Sequence, residues 1–132
     1  MQMGITALYA GLLGVLLLVL SYRVSMYRRR HGISLGDGGH KGLHTAIRVQ
    51  GNFVEYVPTA LILLLLVELT GRQPAIVHGL GAALFLGRVL HAQGLTSNPD
   101  GKSPGRLLGI LLTWLMLLTA SVLLILGSAA GI

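Results

Sequence analysis

Arg48, Asn52 and Glu55 place a guanidinium, an amide and a carboxylate in the stretch Arg48 to Pro58, which runs directly into the apolar segment Thr59 to Val67. Their i, i+4, i+7 spacing puts all three on one stripe of a helix with 3.6 residues per turn. An ionisable side chain in a bilayer span costs roughly 2.5 to 3.5 kcal/mol, so the stripe must face a bundle interior and not lipid. Arg88 and His91, at i and i+3, form a second polar patch on one helix face, and Arg106 supplies a further guanidinium. Guanidinium groups grip carboxylates bidentately and a carboxylate takes an ammonium group, so the set suits a small ligand carrying both charges. A second reading stays open, in which Arg48, Asn52 and Glu55 form only an internal salt-bridge network that holds the bundle or an oligomer together, with Arg88 simply paired to Glu55.

Composition says what kind of element holds these groups. The chain has 132 residues, 53% apolar and only 11% charged, far below the roughly 25% charged of soluble domains. That is the profile of one integral membrane domain, all-α because helices satisfy their own backbone within lipid. The net charge of +6 lies mainly in connecting segments, where it sets orientation, and nucleic acid is not an expected partner. With no cysteine in the chain, disulfides, a protein thiolate nucleophile and cysteine-bound metal are excluded. A reactive thiol has to arrive with a ligand.

Four spans follow along the chain. The first is expected from Met3 to Tyr27, retained and not cleaved as a signal peptide, with Gly4, Gly11 and Gly14 available for close packing or simply tolerated in lipid. Arg28 to His31 and the glycine-rich Ser34 to Gly39 form loop 1, in which Arg28, Arg29 and Arg30 make a lipid-headgroup patch. Helix 2 is expected from His40 to Thr70, bent at Pro58 and stopped by Gly71. Helix 3 should run from Pro74 to Gly94. Loop 3, Thr96 to Lys102, carries the turn sequence Asn-Pro-Asp-Gly, and Ser103-Pro104 reads as the cap and first turn of helix 4. Glu68 and Arg72 read as an interfacial i, i+4 pair. His40 and His44 have metal-like spacing but no third ligand, so no metal site is assigned.

The pattern Arg-x-Gln-x-Asn-x-x-Glu-Tyr-x-Pro, carried by Arg48, Gln50, Asn52, Glu55, Tyr56 and Pro58, resembles the helix 2 signature of the MAPEG family, the membrane-associated proteins of eicosanoid and glutathione metabolism. It is most similar to the leukotriene-C synthase and microsomal glutathione transferase branch, and the chain's length and four apolar segments are similar too. The resemblance implies a four-helix membrane bundle assembled as a homotrimer, with sites between protomers and glutathione as co-substrate. Arg48, Gln50, Asn52, Glu55 and Tyr56 match positions that bind glutathione in family members, and His91 matches a glutathione-contacting histidine of the prostaglandin-E synthase branch. The thiolate-activating arginine at the start of helix 4 corresponds best to Arg106, with Arg28 or Lys102 as alternatives. One departure is plain: a tyrosine pair on helix 3 of the leukotriene branch is replaced here by His91 and Leu95.

The activity this implies is a glutathione transferase or peroxidase acting on lipophilic electrophiles or lipid hydroperoxides. A non-catalytic lipid-binding protein, similar to the leukotriene-synthesis activating protein of the same superfamily, is the alternative. A small transporter fits less well, because the polar stripe is confined to one leaflet.

Basic residues near the span ends set the expected orientation. Arg28, Arg29, Arg30 and Lys41 lie in loop 1 and Lys102 and Arg106 in loop 3, against Arg72 alone on the opposite side, so loops 1 and 3 are expected in the cytoplasm and both termini on the far side. Because the chain lacks cysteine, Ser34→Cys and Ser128→Cys are clean reporters. In intact cells a membrane-impermeant maleimide should modify Ser128→Cys and spare Ser34→Cys; the opposite pattern inverts the topology.

Overall fold

The structure, a computed structural model, describes residues 4–131. It is all-helical over these residues: α1 Gly4–His31, α2 Lys41–Leu69, α3 Pro74–Ser97 and α4 Pro104–Ala129. Each helix is long and apolar enough to cross a membrane. The expected start of α1 at Met3 lies outside the described residues. At its other end α1 continues to His31 instead of stopping at Tyr27. Arginine is a good helix former and its charge suits a helix C-terminus, so Arg28 to Arg30 extend the helix past the bilayer.

The other ends follow local chemistry. His40 caps α2, its Nδ1 accepting from the Leu43 N–H at 3.1 Å. The helix passes through Pro58 without a break and ends where Gly71, at φ 73°, turns the chain. Ser103 caps α4, with Oγ accepting from the Arg106 N–H at 3.4 Å and Pro104 in the first turn. The expected end of α3 at Gly94 is a correction, since the helix runs on to Ser97. Gly94 is a packing position and not a stop.

Helices α2 and α3 sit between α1 and α4, which do not touch one another. On α2, Leu43, Ala46, Val49, Phe53, Val57, Ala60, Leu64 and Val67 recur every three or four residues and are buried. The tightest approach joins α3 to α4. A Cβ placed on Gly94 would collide with the Arg106 backbone nitrogen, and one on Gly109 with the Gly87 carbonyl and His91. Gly105 lies near the Leu90 carbonyl and the Gly94 Cα. Small residues let backbones approach where lipid offers no hydrophobic drive between helices. A Cβ on Gly4, Gly11 or Gly14 would meet nothing within 4 Å, so the close-packed glycines lie elsewhere, chiefly on α3 and α4.

The expected Glu68–Arg72 pair is also corrected. Glu68 reaches the start of α1, accepting from the N–H groups of Ile5 at 3.0 Å and Thr6 at 2.8 Å. Unpaired N–H groups at a helix start favour a carboxylate. Arg72 instead donates to the Leu123 carbonyl at 3.5 Å. Gly94→Ala should destabilise the bundle by about 1 to 3 kcal/mol through overpacking, while Gly11→Ala should be neutral. Reversible denaturation in mixed micelles measures both, and equal stabilities would refute the contact.

Candidate functional site

Arg88 is the largest side chain in the fully buried set, 1% exposed on the inner face of α3. Its guanidinium donates to Asn52 Oδ1 on α2 at 2.5 Å and to Thr113 Oγ1 on α4 at 3.5 Å. It also lies 3.5 Å from His91 Nδ1 and stands over the Tyr56 ring, 5.7 Å from the centroid. One guanidinium thus ties three helices. Charge-assisted hydrogen bonds are the strong ones in a poorly screened interior. The alternative partner Glu55 is not used by Arg88. Glu55 pairs with Arg48 at 3.4 Å, and both side chains are about half exposed, at 54% and 50%.

Two cavities open beside this knot. The first, about 390 Å³, is polar and is lined by residues including His44, Arg48, Asn52, His91, Asp100 and Arg106. The second, about 810 Å³, is more apolar and includes Tyr56, Pro104, Leu107 and Ile110 together with Asn52, His91, Lys102 and Arg106. Asn52, His91 and Arg106 belong to both walls. The glycine contact explains their proximity: Gly94 lies against the Arg106 backbone and Gly109 against His91, so the end of α3 and the start of α4 are held together.

Loop 1 covers the polar cavity. Asp37 accepts from the Gly39 N–H at 2.9 Å and pairs with His44 at 2.7 Å. The Gly39 N–H, followed by the His44 hydrogen bond, holds the Asp37 carboxyl below its ordinary value of 3.8. Lys41 spans to Asp100 of loop 3 at 3.5 Å, an exposed pair worth little on its own. Gly36, Gly38 and Gly39 all have positive φ, a backbone open to glycine at little cost.

Within one chain, Arg48, Asn52, Tyr56, His91 and Arg106 line the cavities, and Arg88 stands behind Asn52 and His91. Gln50 turns away and donates to Ser21 Oγ on α1 at 2.7 Å. Glu55 lines neither cavity. Arg28, at the end of α1, donates to the Gly36 carbonyl at 2.6 Å and lines a separate depression with Arg29 and Gly32. Thr113 and the loop residues Asp37 and Asp100 were not singled out from sequence. The Gly105, Gly109, Thr113 spacing of four on α4 was the available signal for a close helix contact. Asp37 and Asp100 sit in turns, and nothing local marks them as cavity residues.

The MAPEG family profile matches residues 6–126. The chain belongs to the MAPEG family. The inner membrane protein YecN of Escherichia coli K12 is 41% identical over 90 residues, covering 68% of this chain and 69% of that protein. YecN of Escherichia coli O6:H1 strain CFT073 matches with the same identity and coverage. No solved structure matches the chain. This MAPEG chain is accordingly a multi-pass integral membrane protein, and its family includes glutathione transferases and related membrane proteins.

The Arg88 knot yields a stability test. Asn52→Leu removes the shortest partner of a buried guanidinium, and hydrogen bonds to charged groups contribute about 1.5 to 3 kcal/mol. A loss of that size is expected for Asn52→Leu in reversible unfolding, against a near-neutral result for Gln93→Ala on the exposed side of α3. Equal stability of the two variants would show that Arg88 does not depend on Asn52.

Proposed function

We propose that this protein is a glutathione-dependent transferase or peroxidase acting on lipophilic electrophiles or lipid hydroperoxides at the membrane. The observation that carries the reading is the shared wall of Asn52, His91 and Arg106 between a polar and an apolar cavity. Glutathione carries two carboxylates and an ammonium group, which suits a polar cavity containing Arg48, Lys41 and Asp100. The apolar cavity beside it suits a lipophilic second substrate, with Tyr56, Leu107 and Ile110 in its lining. The glutathione sulfur would lie at the common wall.

The chemistry rests on thiol electrostatics. A free thiol has a pKa of about 8.5, and a neighbouring guanidinium favours the thiolate. Arg106 is the guanidinium on both walls. The thiol proton leaves to solvent, the thiolate forms a C–S bond to the electrophile, and a leaving group departs or a strained ring opens. With a lipid hydroperoxide, two glutathione molecules are oxidised to the disulfide while the hydroperoxide is reduced to the alcohol and water. Within the same proposal, loops 1 and 3 face the cytoplasm and the protein is a homotrimer. The half-exposed Arg48–Glu55 pair within a span favours a second copy as its cover. Glu55, which lines neither cavity of one chain, would then lie at or near a subunit boundary.

The test is a thermal shift of the detergent-solubilised protein with glutathione, paired with turnover of an aryl halide and of a lipid hydroperoxide, on a sample whose mass is determined by light scattering. A ligand at 100 times its dissociation constant adds about 2.7 kcal/mol to the folded state. Arg48→Ala should abolish the shift. Arg106→Ala should keep most of the shift and lose turnover at least tenfold. No shift with glutathione, alongside a copurified lipid and no turnover, would replace this reading with the non-catalytic lipid-binding one, and a monomer mass would remove the trimer.

A further inference from the structure

The chain holds four acidic side chains, and every one is engaged away from the end of α1. Asp37 pairs with His44, Glu55 with Arg48 and Asp100 with Lys41, while Glu68 caps the start of α1. Arg23, Arg28, Arg29 and Arg30 nevertheless crowd into the last turns of that helix. Arg28 donates to the Gly36 carbonyl and Arg23 to Thr96 Oγ1 at 3.1 Å, both neutral acceptors. Arg29 and Arg30 are exposed and make no ion pair among the described residues. Four guanidinium charges therefore lack an anionic side chain from the chain itself.

The arginines border a shaped depression. A hollow of about 270 Å³ is lined by Tyr22, Arg23, Met26, Tyr27 and Arg30. Arg23 and Arg30 are seven residues apart on one helix face, about 10 Å along the axis, and flank Met26. None of these five residues lines either cavity of the candidate site. Directly below, Val15, Leu18, Val19 and Tyr22 are exposed on the same side of α1, Tyr22 by 65%. The uncharged stretch from Gly4 to Tyr22 measures about 28 Å, close to the roughly 30 Å hydrocarbon core. Arg23 therefore stands at the depth where acyl chains give way to headgroups.

We propose that this hollow is a binding site for an anionic phospholipid, with the phosphodiester held between Arg23 and Arg30 and the acyl chains laid along Val15, Leu18, Val19 and Tyr22. Charge complementarity selects the headgroup, since guanidinium pairs bidentately with phosphate oxygens. The apolar stripe selects a lipid over a soluble anion. Tyr22 and Tyr27 supply rings with an apolar body and a polar tip at the interface. This site is separate from the glutathione reading and stands or falls without it.

Native mass spectrometry of the full-length protein tests the site, using protein released from mixed micelles of phosphatidylglycerol and phosphatidylcholine. Phosphatidylglycerol should be retained over phosphatidylcholine, and Arg30→Gln should lose roughly fivefold of that retention, the effect of about 1 kcal/mol per basic residue near an anionic surface. Arg29→Gln, which leaves the hollow intact, should lose clearly less. Tyr22→Ala should weaken retention without changing the charge. Equal losses for Arg29→Gln and Arg30→Gln would mean diffuse attraction and overturn the site, as would equal retention of the two lipids. Displacement of the lipid by millimolar inorganic phosphate would overturn the lipid assignment in favour of a soluble anion. An unchanged unfolding midpoint for Arg30→Gln keeps a folding defect out of the comparison.

Discussion

A guanidinium buried in a membrane bundle is the constraint on which this structure turns. Arg88 is 1% exposed, and a charge withdrawn from water is tolerable only where hydrogen-bond acceptors converge on it. Asn52 from α2, Thr113 from α4 and His91 from its own helix supply them. Each fixes the rotation of its helix about the axis, because a wrong rotation would leave Arg88 facing hydrocarbon. Of the polar stripe of α2 only Asn52 answers this requirement, while Arg48 and Glu55 pair with each other and stay about half exposed. A continuous apolar core of Leu13, Val49, Phe53, Leu64 and Leu84 fills the space but is far less particular about register.

Close backbone packing does the complementary work. Gly87 and Gly94 on α3 meet Gly105, Gly109 and the Arg106 backbone on α4. Side chains any larger would push the two helices apart and separate His91 from Arg106. Because the contact sits at the end where loops 1 and 3 cross, the same approach defines the wall between a polar and an apolar cavity. Two chemically opposite ligands can then share an edge. Under the proposed function, the residues common to both cavities, not the flanking ones, would lie where reacting atoms meet.

Charge is distributed with similar economy. The acidic side chains bind down loop 1, loop 3, the start of α1 and Arg48. The arginines at the end of α1 have no acidic partner among the described residues. The same cluster holds three of the basic residues on which the expected orientation rests. Loop 1 combines four glycines of positive φ with the Asp37–Gly39 and Asp37–His44 contacts, and Asp37, Gly39 and His40 form part of the polar cavity wall.

Sequence alone determined that four helices cross a membrane and where Ser103, Pro104 and Gly71 bound them, but it placed the whole Arg48, Asn52 and Glu55 stripe inside the bundle, whereas only Asn52 turns inward in one chain and Arg48 and Glu55 are about half exposed. Apolar length, cap chemistry and the cost of burying charge are local properties, and the six-residue signature on α2 was enough to indicate the family. Helix ends were misplaced for two reasons: Gly94 looked like a stop and is a tertiary contact, while Arg28 to Arg30 looked like a loop and extend α1 through helix propensity and the helix dipole. Only the tertiary structure decided partners. Glu68 caps a helix 62 residues away instead of pairing with Arg72, Gln50 turns to Ser21, and Arg88 takes Asn52 over Glu55. Spacing along one helix establishes which side chains share a face. Which other helix that face meets, and at what height, depends on backbone approach and on which partners the buried polar groups find, and those are properties of the assembled bundle.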